Sequence, residues 1–344
     1  MLMKKTWVLI FLLILVFSLS AQDFSDPVTY LDFINRKNYE IGKQLWNYMR
    51  ISAHSRNDKR IAREKAKLIQ TIADTKNEIA QLPPLNGKTD LRDSMVSYLD
   101  YAKKLITGEL TLVEQMKLVA QKSFSAMQEY LARRDEISHK LDQKGDMVRK
   151  IFRQTADENN IKLTESQSKL MQKIQLASFV NDYYDKLFLI YFRNYLALSR
   201  VIDAISDKNA DLFVAWRDSL TQSISWSYEQ LKKIGPFNND YSLYQTTKEI
   251  VDDFQKINTL YLPAFEEYFQ AKKELKHWQE VVSSKPREEL TVQEINSYNS
   301  AVDSYNAAVK KANLTMENIQ EVTNNISSKW EKAVKKFMDK HVPR

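Results

Sequence analysis

Only five glycines and seven prolines interrupt 344 residues, against usual shares of about 7% and 5%. These two residues are the chief breakers of backbone regularity, so their scarcity commits the chain to long, uninterrupted elements. The apolar pattern says which kind. Ile61, Leu68, Ile72, Ile79 and Leu82 recur at the three-, four- and seven-residue spacings of an amphipathic helix, and no segment alternates with the period of two that a half-buried strand needs. The expected fold class is all-α.

The breakers mark the expected helix boundaries: Pro83-Pro84 with Gly87, Gly108, Gly145, Gly235-Pro236, Pro263 and Pro286. Helix starts are predicted where Ser or Thr precedes Glu or Gln by three residues, because the two side chains then satisfy each other's orphan backbone donors. Thr111 with Glu114, Thr164 with Gln167, Ser242 with Gln245, and Thr291 with Glu294 fit this pattern. Asp26 before Pro27 predicts a further start, since proline at the first helical position loses no needed bond.

Sliding the chain over itself so that Leu68 falls on Leu220 brings about fifty residues into ungapped register. Ile72, Ile79 and Leu82 then fall on Ile224, Leu231 and Ile234, and Pro84 and Asn86 fall on Pro236 and Asn238. Beyond that loop, Leu91, Leu99, Ala102 and Leu105 fall on Leu243, Val251, Phe254 and Ile257. The expectation is two tandem antiparallel helical-bundle repeats, 22–162 and 163–344, the second with an extended hairpin near 270–290.

Ahead of them, Lys4 and Lys5 precede an apolar run from Trp7 to Phe17 and then Ser18-Leu19-Ser20-Ala21. This is the layout of a secretory signal peptide, with cleavage expected after Ala21. Its apolar core of about 11 residues falls short of the roughly 20 that a membrane-spanning helix needs. No cysteine occurs, which excludes disulfides, thiolate metal sites, cysteine nucleophiles and lipid attachment through cysteine. The formal charge is +7, of which Lys4 and Lys5 supply two. No basic stripe or nucleic-acid motif accompanies it, so nucleic acid is not an expected partner.

No Gly-rich phosphate loop, Gly-x-Ser-x-Gly elbow or His-Glu-x-x-His helix is present, and the four histidines, His54, His139, His277 and His341, are far apart in the chain. Glu136-x-x-His139 and Glu274-x-x-His277 reproduce a spacing that di-iron bundles use twice. Each histidine, however, lies two residues, about 200° of helix, from its apolar stripe, and charged neighbours such as Arg134 and Lys276 flank it. Both are expected on solvated faces. No catalytic, cofactor-binding or metal residue is therefore nominated, and no cofactor.

Tyr183, Tyr184, Phe188, Tyr191, Phe192 and Tyr195 crowd one predicted helix, expected to be buried at the junction of the units, with a pocket lining as the alternative. Trp330, Val334 and Phe337 among Lys329, Lys332, Lys335, Lys336 and Lys340 predict a last helix docked by its apolar side. No stretch of the mature chain is apolar enough to span a membrane.

The Leu19-Ser20-Ala21-Gln22 junction, the two cysteine-free helical halves and the Pro-x-Asn hinge in each resemble an uncharacterised family of exported helical surface proteins of spirochaetes and Bacteroidetes. That resemblance implies residence at the periplasm or cell surface and brings no activity with it. The expected role is a non-enzymatic binding or scaffolding protein whose partner is an envelope or extracellular protein. The alternative is a bundle that carries a metal or a small apolar ligand.

Overall fold

The computed structural model describes residues 23–343 apart from Arg56 and 164–167. The expected signal peptide and the Thr164–Gln167 pair lie outside these residues. The described chain is all-α: α1 (Pro27–His54), α2 (Asp58–Ala80), α3 (Asp90–Thr107), α4 (Glu109–Ala120), α5 (Phe124–Glu158), α6 (Lys169–Ser206), α7 (Ala210–Ile234), α8 (Ser242–Lys256), α9 (Pro263–Ser283) and α10 (Val292–His341). A π-helical turn, Ile257–Tyr261, joins α8 to α9, and a 3-10 turn, Arg287–Glu289, lies between α9 and α10. No described helix is long and apolar enough to cross a membrane.

The local chemistry at the helix ends explains several of these boundaries. Asp26 accepts the Thr29 amide ahead of Pro27, and Thr291 and Glu294 form the full reciprocal capping box that opens α10. Two other predicted starts are displaced. Thr111 lies within the first turn of α4, where its hydroxyl donates to the Ile106 carbonyl and accepts Lys65 Nζ at 3.0 Å. Ser242 is itself the first residue of α8, because the Asp240 carboxylate upstream accepts its amide at 2.9 Å. Gly145 does not break a helix either. It sits inside α5 at the crossing with α3, where a Cβ would stand 3.6 Å from the Tyr98 hydroxyl, an ordinary contact.

The structure places the same contacts at the same spacing in both halves of the chain. Asn57 caps α2 by accepting the Arg60 amide, and Asn209 caps α7 by accepting that of Leu212. Lys65 of α2 pairs with Glu114 of α4, and Arg217 of α7 pairs with Glu266 of α9. Lys76 reaches Asp100 at 3.1 Å, and Tyr228 reaches Asp252 at 2.6 Å. The hinges match in conformation as well. Leu85 and Lys88 exchange both backbone hydrogen bonds across Asn86 and Gly87, as Phe237 and Asp240 do across Asn238 and Asn239. All four central residues have positive φ, the signature of a type I′ turn.

Burial follows the same register. Leu68, Ile72, Thr75 and Ile79 are buried on α2, and Leu220, Ile224, Ser227 and Leu231 on α7. One core gathers residues from Tyr30 to Ala156, and a second gathers residues from Ala177 to Val342. Trp46, Met49 and Ala53 of α1 pack on the second core, and Ala120, Met127 and Phe192 form a small cluster between α4, α5 and α6. Such contacts stabilise by roughly 25 cal/mol per Å² of apolar surface removed from water, so the halves are joined by apolar packing as well as by the chain.

The last helix of each half closes on the hinge of that half, with opposite polarity. Lys88 pairs with Glu158 at the end of α5, at 2.9 Å, and Asn86 with Asn159. Asp240 takes Lys340 at 2.9 Å and His341 at 2.7 Å at the end of α10.

The predicted hairpin near 270–290 is helical as far as Ser283, and its tip is the segment from Ser284 to Thr291. No residue from Lys272 to Ser300 is buried. The α9–α10 pair therefore extends as an arm, whose α9 side adds about 18 Å at 1.5 Å per residue.

Candidate functional site

The α5–α6 seam brings together the most perturbed polar group of the described residues that lies near neutrality. Arg134 of α5 forms an ion pair with Asp185 of α6, whose side chain is 17% exposed. Burial pushes the Asp185 carboxyl up to about 6; Arg134 opposes this, and Asp182 and Asp135 reinforce it. Asp182 is likewise raised, by burial first and then by Asp135. Burial also pushes the neighbouring Tyr184 hydroxyl up to about 12. Such a seam can take up a proton at mildly acidic pH, and its chemistry is that of a titrating interhelical ion pair.

Of the six aromatic residues of α6 expected to be buried, Tyr184, Phe188 and Tyr191 are half-buried and Tyr195 is exposed. Tyr183 and Phe192 are buried. Tyr191 stacks on Trp330 of α10 with centroids 4.7 Å apart and planes at 2°, and Tyr184 stacks on the same ring. Tyr183 donates to the Gly235 carbonyl at 2.8 Å, tying α6 to the second hinge. Trp330 and Phe337 are buried, so the apolar side of the basic C-terminal helix is docked.

The two Glu-x-x-His pairs sit on α5 and α9. His139 is 72% exposed and faces Asp135 at 3.5 Å, and His277 is exposed beside Trp278. Among the described residues no three potential metal ligands converge.

The other two histidines meet the same helix end. His341 bonds Asp240, and His54, from the end of α1, bonds the last turn of α10. Burial opposes ionisation of Asp240, but the Ser242 amide, His341 and Lys340 together hold its carboxyl well below the usual range. Sequence reasoning missed this convergence and the Arg134–Asp185 pair, because both join segments from different halves or distant helices. The one legible trace was the alignment of Lys88 with Asp240, a charge reversal at matched positions.

No family model, no curated protein and no solved structure matches the chain.

Proposed function

We propose that the chain is an exported, non-enzymatic binding or scaffolding protein of the periplasm or cell surface, made by tandem duplication of one helical unit. The units span 22–162 and 163–344, and the signal peptide is cleaved after Ala21. Recurrent ion pairs, caps and hinges support the duplication. The observation that carries the binding role is the arm of α9 and α10, where no residue from Lys272 to Ser300 is buried and Val292 and Ile295 are 74% and 39% exposed. A shallow groove of about 510 Å³ runs along it between Lys276, Glu280, Val282 and Tyr298. Apolar side chains ringed by charge on a projecting element suit recognition of a protein surface.

Native mass spectrometry of the protein recovered from its own host reads cleavage and partner together. The expected particle has a mass beginning at Gln22 and contains a second envelope protein. Photo-crosslinkers at Val292 and Ile295 should capture that same protein, whereas one at Leu314, 56% exposed on the same helix, should not. Turnover of a metal- or redox-dependent substrate by the purified protein would overturn the reading.

A further inference from the structure

His54 is the last residue of α1, and its ring is wedged against the last turn of α10. Its Nε2 lies 2.6 Å from the Val342 carbonyl oxygen, and its Nδ1 lies 3.3 Å from Asp339 Oδ1. Carbonyl and carboxylate oxygens accept only. A neutral imidazole has one N–H, so it satisfies one of these oxygens and turns a lone pair on the other; the imidazolium donates to both. The side chain is 11% exposed, which limits relief by water. The carbonyls at the C-terminal end of α1 also favour a cation there.

We propose that His54 is a protonation-dependent clasp, which as the imidazolium ties the end of α1 to the last turn of α10 and on deprotonation lets that turn go. On α10 the groups that face the ring are Asp339, also held by Lys335 at 2.6 Å, and the Val342 carbonyl. Arg50 stands one turn back on α1. On α6, Lys173 lies over Trp46, and Asp185 is paired across to α5. Asp58 and Lys59, opening α2, are exposed. The closed clasp holds one more proton than the open one, so linkage favours closure as pH falls and opening as pH rises. His341 and Lys340 on Asp240 hold the neighbouring face of the same turn to the second hinge. Opening therefore frees the end of α1 from that turn, while Trp46, Met49 and Ala53 keep the rest of α1 on the second core.

The test is long-range proton–nitrogen correlation on the full chain with nitrogen-labelled histidine. At a pH where exchange of Met338 to Val342 is slow, both ring nitrogens of His54 are expected to bear protons; one bare nitrogen there would overturn the proposal. In Asp339→Asn the side-chain amide can donate to a neutral ring, so His54 is expected to show one bare nitrogen at the same pH. Hydrogen exchange of Met338 to Val342, corrected for intrinsic rates, is expected to speed up with rising pH in the wild type and to stay flat in His54→Gln. An identical pH profile in the two proteins would equally overturn the clasp.

Discussion

Asp185 is a carboxylate whose place in the fold works against its charge. Its proton is held up to about 6 in the folded chain, against about 3.9 in an unfolded one. The stability it contributes is therefore full below about pH 4 and is lost as pH rises through 6. Asp185→Asn removes that dependence. Thermal unfolding at pH 4, 5, 6 and 7 should show the variant at least as stable as the wild type at pH 7, with its advantage gone by pH 4. The hinges offer a second check at this scale. Gly87 has φ +76 with no atom within 4 Å of where a Cβ would stand, so the only obstacle to alanine is conformational. Gly87→Ala should cost about 1–2 kcal/mol in urea unfolding. Asn239→Gly, at the matching position of the other hinge, should be neutral or slightly stabilising.

At the scale of helices, what was legible in the sequence was short-ranged. Asp26-Pro27 and Thr291-x-x-Glu294 could be read because a cap and its target lie within one turn. Thr111 and Ser242 carry the same spacing but answer to neighbours outside it: Lys65 from another helix, and Asp240 across a hinge. Gly145 reads as a breaker in one dimension and as a crossing point in three. Only the flexible tip of Arg149 stands within 3.2 Å of a Cβ there, so Gly145→Ala should gain about 0.5–1 kcal/mol of helix stability, seen as a higher denaturation midpoint. Phe337 is fully buried against Tyr183 and Phe237. Phe337→Ala should cost about 3–5 kcal/mol and expose the last turns of α10 to hydrogen exchange before the rest of the helix.

At the scale of the molecule, the repeated register in the sequence pointed to matched helices and hinges, and the contacts between the halves were not readable from it. Trp46, Met49 and Ala53 belong to the first half in sequence but pack on the core of the second. His54 and Val342, hydrogen-bonded, are separated by 288 positions. Expressed alone, 163–344 should therefore melt below the intact chain, and adding 23–162 should restore part of the loss and yield a complex that co-elutes in gel filtration.

The polarity of the two hinges bears on how such a chain avoids assembling wrongly. Two halves with matched helices and hinges on one polypeptide risk exchanging their closing helices, the characteristic error of multidomain and repeat proteins. Here the exchanged pairs would set Lys340 against Lys88 and Glu158 against Asp240, like against like, whereas the native pairs are opposite in sign. The first half, complete once α5 has been made, carries an ending that its own hinge attracts and the other repels. Opposite charges at matched positions thus set the native closure of each half against the exchanged one.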